Sequence, residues 1–360
     1  MKRILHVAKF YPPASGGMER VVQTLCDASE GIVESRVLAL NQAPHTVDEV
    51  VNGVPVTRVG VIARAGSVPI APGLERQLRR AEADLIVLHE PNPWALLSYA
   101  IARPKVPLVI WYHSDVVRPA LQYALFYAPV ARPAYTRARR FVVSSPPLAA
   151  HAAALEPYRD RISVIPFGID ESRWTAGSAV DGARAEPFVL FAGRHVPYKG
   201  VDVLLRALQG TGIRAVIAGD GPQRATWEAL ARSLAVDARF PGDVSDDDLR
   251  ALFAACTAFV LPSTSRAEAF GYVQLEAMAS GKPVISTDLP SGVPWVNQHE
   301  RTGLIVPAGD ADALRAGMRR LMDDAPLRAR LGREGRARVE AAFTMRHLRE
   351  RLRAFFAEAA

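Results

Sequence analysis

Two α/β domains, each a mostly parallel sheet covered by helices, are predicted from three observations. The chain has 360 residues, 49% of them apolar, which suits two cores better than one. Short apolar runs alternate with helix-like stretches along nearly the whole length, the pattern of parallel strands buried on both faces. A stretch rich in Gly, Ser and Asp, Phe167–Gly182, breaks that rhythm near the middle and reads as a linker.

The first half opens on Lys2–Ala8, a short buried strand, then a loop, Phe10–Gly17, and a helix, Met18–Ala28. Arg36–Leu40, Leu85–His89, Leu108–Tyr112, Phe141–Ser144 and Ile162–Pro166 are further strands; Leu74–Ala83 and Pro93–Ala102 are helices. In the second half Phe188–Ala192, Ala215–Ala218, Phe259–Pro262 and Pro283–Thr287 read as strands. Val201–Leu208, Gln223–Leu234, Asp246–Ala255, Gly271–Ala279, Ala311–Asp323 and Leu327–Phe343 read as helices, before a last segment, Arg346–Glu358. The domains are set at 1–170 and 187–343, with 171–186 as linker and 344–360 as a C-terminal helix.

The net charge is +7, and the excess sits early: residues 1–180 hold 20 Lys and Arg against 15 Asp and Glu, residues 181–360 hold 24 against 22. A basic half fits an anionic partner, whether nucleotide, phosphorylated acceptor or membrane surface, and fits equally a solvated arginine-rich face. The first apolar run, Ile4–Ala8, is too short for a signal sequence and contains His6; no segment reaches the ~20 apolar residues of a membrane span. A cytoplasmic protein is expected. Cys26 and Cys256 lie far apart in helix-like surroundings and read as core residues.

Ligands of open parallel sheets bind at the carboxyl ends of the strands, and the chemically suggestive motifs fall there. Gly16 and Gly17 lie between the first strand and its helix, where glycines admit a phosphate to the helix N-terminus or simply make a tight turn. The G-x-G-x-x-G pattern is absent and the second strand ends Leu40-Asn41-Gln42, which disfavours NAD. The loop GRHVPYKG places Arg194 and Lys199 before a helix, a candidate diphosphate clamp or a solvated basic loop. Glu268 and Glu276 stand eight residues apart around the helix after Phe259–Pro262, with Phe270 and Gly271 between them. At ~1.5 Å per residue they are about 12 Å apart, beyond the ~5–9.5 Å of a glycosidase pair. They suit two ends of one long ligand.

Taken together, EAFGYVQLEAMASGKPVI, GRHVPYKG, GGME, IPFGID and GDGP resemble the family-4 retaining glycosyltransferases, over nearly the whole chain. The resemblance implies the GT-B fold, two Rossmann-like domains facing each other across a cleft, with the last helix packing back on the N-terminal domain. It also implies roles. Glu268 would hold donor-sugar hydroxyls and Glu276 the ribose. Arg194 and Lys199 would neutralise the leaving diphosphate. Gly16 and Gly17 would let their loop close over the phosphates, and Phe270 and Gly271 belong to the same donor-binding segment. His113, at a strand end, would orient a donor or acceptor hydroxyl, with His89 and Glu90 as weaker candidates for acceptor contact. No cofactor is implied: the nucleotide sugar is a substrate and no metal is required. Asp246-Asp247-Asp248 contains D-x-D, but Ser245 and the three acids read as a helix cap.

The expected function is transfer of a hexose from a GDP- or UDP-sugar to a hydroxyl of a glycan or lipid-linked glycan, in cell-surface polysaccharide synthesis. Ser291–His299 resembles mannosyl- and rhamnosyltransferases, with backbone around Gly292 and Val293 near the donor. Arg118–Arg140, which mixes Leu, Phe and Tyr with five arginines, is a candidate for peripheral contact at the inner face of the plasma membrane. No nucleic-acid partner is expected. Two rivals stay open: another GT-B enzyme using a sugar-phosphate, and a non-catalytic nucleotide-sugar-binding protein.

Overall fold

A computed structural model describes the chain except for Ser15, Ser67, residues 117–120, Gln122, 176–185 and Ala360. The chain divides into two compact units, Met1–Phe167 with Arg346–Ala360, and Gly168–Met345.

In the first unit the strands are β1 (Arg3–Val7), β2 (Glu34–Leu40), β3 (Val47–Val51), β4 (Val54–Val59), β5 (Ala63–Ala65), β6 (Val68–Ile70), β7 (Leu85–Glu90), β8 (Leu108–Tyr112), β9 (Arg140–Val143) and β10 (Ile162–Val164). Eight of them form one sheet in the order β10-β9-β8-β7-β1-β2-β4-β3, and β5 pairs with β6 apart from it. Every pairing in the large sheet is parallel except the edge pair β3–β4. β7 and β8 are buried along their whole length, as a strand covered on both faces must be. Helices α1 (Gly17–Ala28), α2 (Gly73–Arg79), α3 (Pro93–Ala102), α4 (Ala128–Arg137) and α5 (Pro146–His151) belong to this unit.

The second unit holds β11 (Phe188–Ala192), β12 (Arg214–Ala218), β13 (Ala238–Gly242), β14 (Ala258–Leu261), β15 (Val284–Asp288) and β16 (Gly303–Pro307). They form one parallel sheet, β13-β12-β11-β14-β15-β16. Its helices are α6 (Ser172–Thr175), α7 (Val201–Leu208), α8 (Arg224–Ser233), α9 (Asp246–Ala255), α10 (Tyr272–Ala279), α11 (Val293–Val296), α12 (Ala311–Asp323) and α13 (Ala325–Ala342). The spatial order third-second-first-fourth-fifth-sixth is the doubly wound arrangement, and it reverses between β11 and β14. In the first unit the reversal falls between β1 and β7. Those two points are where each sheet opens to a ligand.

The last helix, α14 (Met345–Ala359), packs on the first unit. Lys2 Nζ donates to Phe356 O (3.2 Å) and Arg349 Nη2 to Glu30 O (2.6 Å), while Leu348, Leu352 and Phe356 are buried.

Sequence reading missed β3, β4, the short pair β5 and β6, β13 and β16. Pro55 and Pro241 interrupt two of them, β3 is an edge strand with three exposed residues, and β16 is a short Gly-to-Pro segment. β3, β13 and β16 are edge strands, where one side needs no ladder partner, and Pro55 of β4 lies just ahead of the Val56–Val59 stretch that pairs with β2. The chain passes into the second unit at Gly168, ahead of the expected linker. Ser172–Thr175 is a helical turn whose Trp174 is buried edge-on against Phe253, centroids 5.6 Å apart. The remainder of the expected linker, 176–185, lies outside the described residues.

Candidate functional site

In the second unit β11 is buried throughout and delivers the chain into the Gly193–Gly200 loop. The loop ends in a single 3-10 turn, Pro197–Lys199, that turns the Lys199 side chain inward. Lys199 Nζ donates to Glu268 Oε2 at 2.6 Å, and Ser263 Oγ donates to the same oxygen at 3.0 Å. Burial alone would drive the Lys199 proton off, but the Glu268 carboxylate outweighs that and holds the ammonium above its ordinary range. The two residues follow β11 and β14, the strands between which the order reverses. Arg194, at the start of the loop, is exposed. The two expected clamp cations are therefore unlike: Lys199 answers a carboxylate inside the protein, and Arg194 faces solvent.

The GDGP segment braces this loop from below. His195 N donates to Asp220 O (2.7 Å) and Gln223 N to His195 O (3.0 Å). A Cβ on Gly219 would stand 2.1 Å from Gly193 O, and one on Gly221 2.6 Å from His195 O. Only glycine lets the two loops lie this close. The His195 ring is fully buried beside Trp227, centroids 5.0 Å apart.

Glu268 lies in the turn before α10, four residues ahead of its first residue. The helical rise used to place it 12 Å from Glu276 therefore does not apply between them, because Gly271 is left-handed at φ 67° and only α10 beyond it is helical. Glu276 is buried, as is α10 from Gln274 to Ala279. The Phe270 ring packs on Trp295 and Phe343 at 6.4 and 6.1 Å, so it supports the turn rather than offering a free face. Gly292 N donates to Ala269 O (2.7 Å), which ties α11 to the Glu268 turn, and Val293 N donates to Ser291 Oγ (3.3 Å) within its own segment; both amides are already engaged. Ser245 Oγ caps α9 by accepting from Asp248 N (3.1 Å), while Asp246 pairs with Arg173 and Asp247 with Arg250. The D-x-D acids are thus cap and surface-pair residues.

In the first unit Gly16 caps α1 with extended backbone that any residue adopts, and the Glu19 carboxylate fills the place where its Cβ would stand. A Cβ on Gly17 would meet nothing within 4 Å among the described residues, so α1 is open there but not at Gly16. Arg58, on β4, holds the loop between β1 and α1 by donating to Tyr11 O (2.9 Å) and Pro12 O, and pairs with Glu49.

His113 follows β8, 8% exposed, its ring stacked on Phe167 at 6.1 Å. His89 and Glu90, expected to reach an acceptor, are fully buried and cannot touch one. His89 Nδ1 lies 2.8 Å from His113 Nε2, and His6 Nδ1 3.0 Å from His89 Nε2. Glu90 accepts from Tyr127 Oη, from Tyr135 Oη (3.5 Å) and from Asn92 N (3.1 Å). Burial pushes its carboxyl up to about 7, against the pull of these bonds. Sequence reading missed His6, Ser263 and Tyr127. His6 and His89 each lie one alternation step back from a strand end, a signal that only known strand pairing would reveal.

Two doubly wound units with polar groups gathered at their switch points define an α/β protein whose ligand sites lie at the carboxyl ends of its strands. Residues 15–173 match the family described as Glycosyltransferase Family 4, and residues 179–338 match Glycosyl transferases group 1. The D-rhamnosyltransferase WbpZ of Pseudomonas aeruginosa is 34% identical over 352 residues, 95% of this chain and 92% of that protein. The O-antigen chain mannosyltransferase C of Escherichia coli is 32% identical over 360 residues, 96% of this chain and 95% of that protein. The solved sucrose-phosphate synthase of Thermosynechococcus elongatus superposes with a TM-score of 0.82 over 99% of each chain at 22% identity. Anabaena HepE, in complex with UDP and glucose, superposes at 0.83 over 99% of this chain and 100% of that one, at 20% identity. The chain belongs to glycosyltransferase family 4: it is a hexosyltransferase with the GT-B fold.

Proposed function

We propose that this protein moves a hexose from a nucleotide diphosphate sugar, GDP- or UDP-linked, to a hydroxyl of a glycan or lipid-linked glycan, with retention at the anomeric carbon. The observation that carries the reading is the buried Lys199–Glu268 pair at the switch point of the second sheet. A buried ammonium beside the departing diphosphate offsets the charge that develops there, and a water-poor site magnifies that effect. Arg194 adds a second cation from solvent. Glu268 accepts from sugar hydroxyls, and Glu276, buried on α10, from the ribose. Gly17 leaves room for a phosphate oxygen at the start of α1, and beside Gly16 the Glu19 carboxylate must give way before one can enter. His113 meets a hydroxyl of the sugar.

In the transfer the bond from the anomeric carbon to the diphosphate oxygen breaks and a bond to the acceptor oxygen forms on the same face. The acceptor's proton passes to the departing diphosphate. The curated relatives act in rhamnosyl and mannosyl transfer, which favours a GDP-linked donor and a role in surface polysaccharide assembly. Binding of a panel of nucleotide sugars, by calorimetry with EDTA present, tests the reading. Selective uptake of one GDP- or UDP-sugar supports it and names the donor; no uptake of any member overturns it.

The segment 118–140 supports contact with a membrane surface. Residues 118–120 and 122 lie outside the described ones, but Leu121, Leu125 and Phe126 are 70%, 59% and 73% exposed around one π-helical turn, Tyr123–Tyr127. Arg132, Arg139 and Arg140 are exposed nearby in the chain. Among the described residues no helix is long and apolar enough to cross a membrane.

A further inference from the structure

His113 ends a diagonal row of three histidines. On the parallel strands β1, β7 and β8, His6 pairs in register with Val87 and His89 with Trp111. Each following histidine is therefore two residues further along its strand than the pairing partner of the one before. Two residues is the period that returns a side chain to the same face, so the three imidazoles climb one face of the sheet toward its carboxyl edge. Their rings stack at 5.3 and 5.1 Å between centroids. The nitrogens meet head to tail: His6 Nδ1 to His89 Nε2 at 3.0 Å, His89 Nδ1 to His113 Nε2 at 2.8 Å.

Burial keeps all three rings neutral, with His6 lowered to about 4, His113 to about 3, and His89 well below the ordinary range. A neutral imidazole carries one N–H and one bare nitrogen. Only two continuous arrangements of the row exist. In one, every proton sits on Nε2; His6 Nε2 then presents an N–H that is buried without a partner among the described residues. In the other, every proton sits on Nδ1, and His6 Nε2 is only a bare lone pair. Orphaned buried donors are the rarer defect, because an unmade N–H bond forfeits the full desolvation of that group. The second arrangement wins, and its far end is the Nδ1–H of His113.

We propose that His89, backed by His6, is a positioning residue that fixes His113 as the Nδ1–H tautomer, so that His113 donates a hydrogen bond to a sugar oxygen and does not serve as a base. This rests on the reading that His113 meets the substrate; the tautomer itself does not. The row ends inside the sheet at His6, so a proton taken up at His113 has no exit along it.

Nitrogen-15 NMR of histidine-labelled protein at neutral pH reads the tautomer directly. The expected spectrum shows His113 with a protonated Nδ1 and a bare Nε2, and a protonated Nε2 on His113 overturns the proposal. His89→Phe removes the donor to His113 Nε2 and should release the Nδ1–H tautomer, with kcat falling roughly tenfold, the worth of one hydrogen bond, and KM changing little. His89→Asn, whose amide can donate in place of Nδ1–H, should restore both. A His89→Phe enzyme with the wild-type tautomer and kcat also overturns the proposal. If His113→Ala transfers sugar normally while the wild-type tautomer is as expected, the substrate reading of His113 fails and the tautomer set by His89 stands. The wild-type spectrum needs no variant to fold.

Discussion

Lys199 Nζ and Glu268 Oε2 lie 2.6 Å apart with side chains only 11% and 10% exposed. The pair makes each residue depend on the other before any substrate arrives. Removing one partner leaves a buried charge unanswered, which costs about 3–5 kcal/mol. Lys199→Ala and Glu268→Ala should each lower unfolding stability by that order and cut turnover by ~10²–10³. The double variant Lys199→Met with Glu268→Leu should regain stability and stay inactive. Denaturant unfolding beside steady-state kinetics separates the two effects. A double variant no more stable than the singles would show that the pair is not held by mutual charge.

Glu276 is buried on α10 and is assigned to the nucleotide. Glu276→Ala should weaken binding of the free nucleotide roughly tenfold or more, the loss of a charge-assisted hydrogen bond. Calorimetry on nucleotide without sugar checks this. Unaltered nucleotide affinity with weakened nucleotide-sugar affinity would move Glu276 to the sugar end.

Leu125 and Phe126 are too large and too exposed to be explained by packing. On vesicles containing an anionic lipid, replacing both with Ser should reduce binding by about 2–4 kcal/mol if they bury half or more of their side chains in the interface. Vesicle sedimentation reads the result. Equal sedimentation of both proteins would end the membrane reading for this turn.

Glu90 and the histidine row pull stability in opposite directions with pH. Glu90's carboxyl is raised from 4.5 to about 7, so the folded state keeps a proton that the unfolded chain releases across that window. Stability therefore falls as pH rises from 4.5 to about 7. His6, lowered from 6.5 to about 4, acts in the other sense, its neutral form losing ground as pH falls below 6.5. Glu90→Gln should erase the first trend, worth about 3 kcal/mol at most, and leave a steeper climb in stability from pH 5 to 6.5. Unfolding curves at a series of pH values show this, and a profile identical to wild type would refute a protonated Glu90.

Much of the frame was readable in the residues. β8, β11, α3, α7, α9 and α12 begin and end where apolar periodicity and caps placed them, because burial on both faces writes a continuous signal. The strands that escaped notice sit at sheet edges or carry Pro55 or Pro241, where hydrogen bonding and packing ask less of the sequence. The motif residues Lys199 and Glu268 stood out, but their bond did not, since their separation along the chain hides it. His6 looked like an interruption in an apolar run. Its meaning depends on which strands lie beside β1, and strand order is a property of the whole sheet.

The second unit begins and ends beside itself. Ile169 bridges Thr344, with Ile169 N donating to Phe343 O at 2.8 Å and Met345 N to Ile169 O at 2.9 Å. Residues 168–345 are therefore an insert spliced into a host made of 1–167 and the rest of α14 from Arg346 on. An insert whose two ends are already tied can be lifted out, or re-cut to start elsewhere, without opening its sheet. The host must keep α14 to remain whole, since Lys2, Ala28 and Glu30 bond to it. The part that carries Lys199 and Glu268 is thus joined to its host through a single pair of neighbouring chain crossings.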